Sequence, residues 1–296
     1  MTWKLGIIGG SGLYAIDGLE DAQWVTVESP WGAPSDAVLA GRLRGIDVAF
    51  LPRHGRGHRI SPGELNVRAN IDALKRLGCT DVLAVSAVGS LNAGMAPGDF
   101  VVVDQFIDRT KGRPGSFFGT GLVAHVPMAD PVCPRLSGLA GDAVAAAMNQ
   151  LGGGKLHRGA TYLAMEGPAF STRAESRLHQ SWGCDLIGMT AMPEAKLARE
   201  AELPYALLAM VTDYDCWHDG ADVDVTDIMA VMHGNAALAR ASLIALCASL
   251  PAVRAASPID TVLDAAIMTA PEVRDPELLA KNAAILTRWL TKGRTG

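Results

Sequence analysis

The chain has 296 residues, enough to bury a large core, and its 26 basic and 31 acidic residues give a formal net charge of −5 with no run of Lys or Arg. This excludes the nucleic-acid backbone as a natural partner, because binding it needs a basic face. Hydrophobic residues make up 49%, yet no apolar stretch is expected to reach the roughly 18–20 residues of a membrane-spanning helix, and the start Met1-Thr2-Trp3-Lys4-Leu5-Gly6 carries no leader pattern, so a cytoplasmic protein is expected.

Short apolar runs alternate with helix-period segments, the signature of an α/β fold with a largely buried sheet. The first run, residues 5–8, closes on Gly9-Gly10-Ser11-Gly12. Residues 38–43 and 46–51 flank Arg44-Gly45 and predict a tight hairpin. Residues 66–77 carry Ile71, Leu74 and Leu77 at helical spacing and stop at Gly78. Strands are predicted at 82–88, 100–107, 160–165, 185–189 and 205–211. Between them, a helix over 172–182 has the Thr172/Glu175 spacing of a capping box. A second helix over 192–202 has Pro193 in its first turn. Residues 226–250 read as a long Ala-rich helix and 277–290 as another. The Gly-rich segment 109–125 reads as a functional surface loop. One domain is expected over 1–296, with a core at about 5–250 and a helical extension at about 255–296. The five cysteines (Cys79, Cys133, Cys184, Cys216, Cys247) lack CxxC spacing and read as free thiols in a reducing compartment.

Five segments could carry chemistry. The glycine turn at 9–12 aims backbone N–H groups and the Ser11 hydroxyl at an anion, but it lacks the third glycine and acidic residue of a dinucleotide fingerprint; an ordinary glycine turn is the alternative. Arg53-His54-Gly55-Arg56-Gly57-His58-Arg59 follows a strand, either as a solvated loop or as a phosphate site in which the arginine fork matches phosphate oxygens and a histidine adds a donor or a proton. Ser86, Ala87 and Gly89-Ser90 end a strand at the sheet's carboxyl edge, where ligands of open α/β sheets bind. Thr190 sits where the strand through Ile187, Gly188 and Met189 passes into a helix, as a cap, an anion contact or both. Asp213 and Asp215 end a strand on one face; like charges this close raise each other's pKa, so one can stay protonated as a general acid, with a solvated pair or metal ligands as competing readings. No histidine or third carboxylate stands in spacing, so no metal is expected.

Seven stretches together resemble the trimeric purine nucleoside phosphorylase superfamily in its methylthioadenosine phosphorylase branch: 6–13 (GIIGGSGL), 53–55 (RHG), 66–70 (NVRAN), 105–110 (QFIDRT), 166–170 (EGPAF), 188–194 (GMTAMPE) and 212–217 (TDYDCW). The resemblance implies a twisted central mixed β-sheet flanked by helices, in a homotrimer with active sites near subunit boundaries. It implies phosphorolysis of 5′-methylthioadenosine to adenine and 5-methylthioribose 1-phosphate, with inorganic phosphate as co-substrate and no cofactor. The alternative is a purine nucleoside or methylthioinosine phosphorylase acting on 6-oxopurines. By resemblance, Ser11, Arg53, His54, Ser86, Ala87 and Thr190 hold phosphate. Phe170, Ile187 and Met189 pack on base and sugar, and Asp213 and Asp215 recognise adenine, where branches favouring 6-oxopurines carry asparagine at the first position. Asp213 and His54 are the expected catalytic groups, Asp213 by giving a proton to the leaving base. Val225, Ile228 and Met229 match the wall around the 5′ substituent, and His125 a residue reaching in from an adjacent subunit. The chain departs from the animal enzymes at Gly188, where they carry asparagine.

Overall fold

The computed structural model describes residues 2–10, 12–13, 15–218 and 225–292. The sheet begins with β1 (Lys4–Gly9), β2 (Leu19–Val25), β3 (Val38–Leu43) and β4 (Ile46–Pro52), followed by helix α1 (Val67–Arg76) and the ten-residue strand β5 (Asp81–Ser90). Then come β6 (Phe100–Val103), β7 (Gln105–Asp108), α2 (Pro134–Leu151), β8 (Leu156–Arg158), β9 (Thr161–Ala164), α3 (Arg173–Ser181) and β10 (Leu186–Gly188). The chain ends with α4 (Ala191–Glu200), β11 (Tyr205–Asp213), α5 (Val225–Ser249), α6 (Pro276–Lys281) and α7 (Thr287–Lys292).

The expected mixed sheet flanked by helices is what the structure has. Its strands run β2-β3-β4-β1-β5-β10-β9-β7, with β11, β6 and β8 branching from the other side of β5. The branch follows from the length of β5. Its first half pairs with β1 and its last two residues with β10, while Val82–Val88 lie parallel to Tyr205–Val211 of β11. Strands β1, β4, β5 and β11 are mutually parallel, so their carboxyl ends open on one edge.

Both faces of this inner sheet are apolar, which explains its continuous hydrophobic runs. Ile8, Val82, Ala84, Leu207, Ala209 and Val211 face one core, which includes Ile71 and Leu74 of α1 and Ala195 and Ala198 of α4. Leu5, Ile7, Leu83, Val85, Leu208 and Met210 face the other, with Leu136, Val144, Leu243 and Leu246 of α2 and α5. The period-two alternation of a strand sorts these residues to the two sides.

The predicted hairpin is present: Leu43 pairs with Ile46, and Arg44 and Gly45 both have positive φ (52° and 80°), the geometry of a two-residue turn matched to strand twist. The capping box is also present, with Thr172 and Glu175 bonding reciprocally. Several expectations are corrected. Residues 100–107 form two strands rather than one, because Asp104 leaves the ladder and its carboxylate accepts from the Ala160 N–H. The region 277–290 is broken into α6 and α7. Strands β2 and β8 and helix α2 join the predicted elements. One stretch, Ile228–Ser249 of α5, does reach membrane-spanning length and apolarity, although Leu238, Leu243 and Leu246 on it are buried in the second core. The C-terminal segment packs on its own chain: Leu263, Ala266 and Leu286 cluster with Leu122, and Asn282 donates to the Phe117 carbonyl at 2.9 Å.

Candidate active site

The carboxyl ends of β1, β4, β5 and β11 surround a cavity of about 280 Å³. Strand β4 delivers Arg53 and His54, β5 delivers Ser86 to Gly89, the β10–α4 junction Ile187 to Thr190, and the end of β11 Thr212, Asp213 and Asp215. Ile228, Met232 and Ala236 of α5 close one side. The edge position is where a parallel sheet leaves backbone and side-chain polar groups free to meet a ligand.

At one end stands Arg53, only 3% exposed. Its Nε and Nη2 donate to Glu194 at 3.1 and 3.2 Å, its Nη1 to the Val85 carbonyl at 3.0 Å and its Nη2 also to the Ile8 carbonyl at 3.4 Å. The fork that sequence reasoning matched to phosphate is thus turned onto Glu194, and a single N–H on Nη1 is left over. Burial works against the guanidinium charge, but the Glu194 carboxylate outweighs it and holds the pKa above its ordinary value. Tyr205 steadies the pair by donating to Glu194 at 2.8 Å.

His54 sits beside this pair, with Nδ1 at 2.9 Å from the Ile60 carbonyl. A carbonyl only accepts, so Nδ1 carries the proton and Nε2 is a bare acceptor. Burial first, then the Arg53 charge, pushes the imidazole down to about 4 against the opposing Ile60 carbonyl, so the ring is neutral near pH 7. His58 stacks on it with ring centroids 4.2 Å apart. The Ser86 hydroxyl donates to the Ala87 carbonyl at 3.2 Å and lies 3.4 Å from the Thr190 hydroxyl. Thr190 occupies the N-cap position of α4 but makes no side-chain cap bond; its hydroxyl faces Ser86 instead of the helix.

Asp213 and Asp215 form the other end. Asp213 accepts from the Thr212 hydroxyl at 2.8 Å and from the Asp215 N–H at 2.9 Å, one bond on each oxygen. Asp215 is 4% exposed and its Oδ2 has no hydrogen-bond partner. Its carboxyl is held above the ordinary range chiefly by burial, with the Asp213 charge adding and Ser176 and His179 opposing. The sequence points to Asp213 as the proton donor; the burial of Asp215 makes it a second candidate. Asp215 also has φ of +48°, a left-handed conformation that costs a non-glycine residue about 1–2 kcal/mol and tends to occur at functional positions.

Between the two ends lie Met165, Ile187, Met189 and Phe170, the last 47% exposed at the rim. The Met189 turn is clamped from the predicted functional loop: Arg113 donates to the carbonyls of Met189 at 2.7 Å and Met192 at 3.2 Å and pairs with Glu166 at 3.0 Å. Gly188 has no room for a side chain, since an added Cβ would run into the Tyr162 hydroxyl.

The structure therefore gathers Arg53, His54, Ser86, Ala87, Thr190, Phe170, Ile187, Met189, Asp213, Asp215 and Ile228 around one cavity. Ser11 and the Val225 side chain lie outside the described residues. Met229 points away, 40% exposed, and Met232, one helical turn on from Ile228, lines the cavity instead. His125 is exposed, away from its own chain's cavity, in a strip where Ala124 bridges Ile267. Sequence reasoning missed Glu194, Arg113 and Met165, and reached His58 only as part of the Arg53–Arg59 segment. Glu194 lay inside a matching motif, but nothing local assigned it a partner 141 positions away. Among the described residues no cluster of His, Cys, Asp and Glu is placed to hold a metal ion.

Comparison with known proteins identifies the family. The family model described as the phosphorylase superfamily matches residues 4–248. The S-methyl-5′-thioadenosine phosphorylase of Cereibacter sphaeroides is 59% identical over 293 residues, covering 98% of this chain and 99% of that protein. That of Bradyrhizobium diazoefficiens is 53% identical over 289 residues, covering 97% and 98%. Among solved structures, a methylthioadenosine phosphorylase from an antarctic soil metagenomic library superimposes with a TM-score of 0.91 at 45% identity, covering 96% and 99% of the two chains. The Schistosoma mansoni methylthioadenosine phosphorylase in complex with adenine gives 0.78 at 35%, covering 96% and 98%. The chain belongs to the phosphorylase superfamily and, within it, to the family of the S-methyl-5′-thioadenosine phosphorylases.

Proposed function

We infer that the protein splits 5′-methylthioadenosine with inorganic phosphate into adenine and 5-methylthioribose 1-phosphate. The observation that carries this reading is that one cavity joins an arginine–hydroxyl end to an acidic pair across a methionine-lined floor. Family membership supports it.

Breaking the glycosidic bond builds positive charge on the ribose and negative charge on the leaving base. Phosphate beside Arg53, Ser86 and Thr190 supplies an anion next to the ribosyl carbon and then attacks it. At the far end, a carboxylate accepts from the exocyclic amine of adenine while a carboxyl proton moves to the imidazole-ring nitrogen of the departing base. Burial favours the protonated form of Asp215, and we propose that Asp215 supplies that proton while Asp213 accepts from the amine. The α5 wall of Ile228, Met232 and Ala236 offers a 5′ substituent only apolar contact, which suits a thioether better than a hydroxyl that would lose its hydrogen bonds to water.

We also propose that the enzyme works in the cytoplasm, without a cofactor, as a homotrimer with sites near subunit boundaries. Five free thiols suit a reducing compartment. The exposed Val123 (38%) and Met268 (65%) beside His125 supply an apolar strip that a neighbouring subunit would cover; sedimentation should then report a trimer.

The decisive test of the reaction is product analysis with 5′-methylthioadenosine, adenosine and 5′-methylthioinosine, each with and without phosphate. Phosphate-dependent adenine release, fastest from the thioether, is expected. Preferred release of hypoxanthine, or adenine release without phosphate, would overturn the reading.

A further inference from the structure

Among the described residues, the anion end offers little uncommitted positive charge. Arg53 is the only Lys or Arg among the described residues lining the cavity, and its charge is already matched by Glu194 in a bidentate pair in which each side chain is 3% exposed. Two of the remaining polar groups present lone pairs rather than protons. His54 gives its one ring proton to Ile60, and the Ser86 hydroxyl proton is directed at the Ala87 carbonyl. A doubly charged, proton-free oxyanion would meet an arginine charge already neutralised, with one spare Nη1 N–H and the Thr190 hydroxyl as its donors beside the lone pairs of His54 and Ser86, in a partly desolvated site, which is costly. A singly charged anion that brings its own O–H donors matches the site.

We propose that this enzyme selects the singly charged, dihydrogen form of phosphate, with a P–OH donated to Nε2 of His54, and that Glu194 sets this preference by taking up the fork and the charge of Arg53. The proposal rests on the phosphorolysis reading and specifies its co-substrate. Protons and charge balance: an unprotonated phosphate oxygen forms the new C–O bond as the C–N bond breaks. Adenine takes its proton from the acidic pair, which regains one from solvent as the ester gives up one phosphate proton to solvent. The other remains on the ester, which leaves as a monoanion.

The wild-type enzyme suffices for the first test. At saturating nucleoside, the KM for total phosphate is measured across the second ionisation of phosphate, together with the inhibition constants of thiophosphate, whose second ionisation lies lower, and of sulfate, a dianion without a proton. The expected KM is flat at low pH and rises roughly tenfold per pH unit above the ionisation. The thiophosphate constant should rise at its own, lower pH, and sulfate should bind at least roughly tenfold more weakly than phosphate. His54 does not imitate this profile, since it ionises at about 4. A phosphate KM that is flat or falls through the ionisation, a rise at the same pH for both ligands, or sulfate as strong as phosphate would overturn the proposal. Glu194→Gln should strengthen sulfate about tenfold and flatten the phosphate profile; unchanged sulfate affinity and profile in a folded variant would remove Glu194 from it. Adenine release that ignores phosphate altogether would instead sink the phosphorolysis reading.

Discussion

Replacing Asp213 by asparagine isolates the base-recognition argument, because the structure can absorb the change. The oxygen of the introduced amide can still accept from the Asp215 N–H, which now bonds Asp213 at 2.9 Å. The Thr212 hydroxyl, which lies 3.1 Å from the Val88 carbonyl as well as 2.8 Å from Asp213, can give its proton to Val88 and accept from the amide N–H. Stability should therefore change by no more than about 1 kcal/mol. The base edge changes more. Asp213→Asn exchanges a carboxylate acceptor facing an amine for a group that can present a donor, a loss of about 1.5–3 kcal/mol for a charge-assisted bond, or roughly 10- to 100-fold in kcat/KM. The 6-oxo substrate should improve. A second readout follows from Asp215, whose raised pKa comes first from burial and in part from the Asp213 charge. Removing that charge lowers the pKa, so the protonated form is lost earlier and the basic limb of the pH profile moves to lower pH. The assay is kcat/KM for 5′-methylthioadenosine and 5′-methylthioinosine across pH. Equal loss on both substrates with an unmoved basic limb would refute the reasoning.

Three further outcomes are expected. Gly188→Ala drives a methyl into the Tyr162 hydroxyl and to 2.7 Å from its ring; overpacking should cost about 1–3 kcal/mol and raise the phosphate KM through Thr190, whose N–H lies 3.4 Å from that hydroxyl. Adding Tyr162→Phe should recover part of the stability, and no recovery in thermal unfolding would count against the steric account. Arg113→Ala frees the Met189 and Met192 carbonyls and should lower kcat/KM roughly 10- to 100-fold, with Arg113→Lys rescuing little because a point charge cannot replace the fork; a loss under about threefold would make the loop a mere connection. Glu200 is raised to about 7, chiefly by burial, against its bonds from Phe117 and Ser116. The folded state then holds a proton that the unfolded chain has released, so stability falls as pH rises from about 4.5 to about 7, by roughly 3 kcal/mol at most. Denaturant midpoints at pH 5 and 8 should show this slope in the wild type and a shallower one in Glu200→Gln; equal slopes would dismiss it.

What local chemistry specifies was legible in the chain. The Thr172/Glu175 cap and the Arg44-Gly45 turn are bonds and dihedrals between neighbours, and they occur where their residues stand. The strands of the double-faced sheet show as unbroken apolar runs because helices cover both sides. Helix α2 was also written there, in Pro134 at its start and in Leu136, Ala140, Val144 and Ala147 along one side, but Gly138 and Gly141 blur it as helix-weakening residues. The site's motifs could be found because strand ends and glycine turns bring them to the carboxyl edge.

Only the tertiary structure decided what those residues do there. It turned the Arg53 fork onto Glu194, left His54 with a bare acceptor, released Thr190 from capping and buried the Asp215 carboxyl so that it holds a proton more tightly than an exposed one. The type and order of these residues were determined by the sequence. Their charge and hydrogen-bonding state depend on burial and on partners up to 141 positions away, which no local pattern of spacing records.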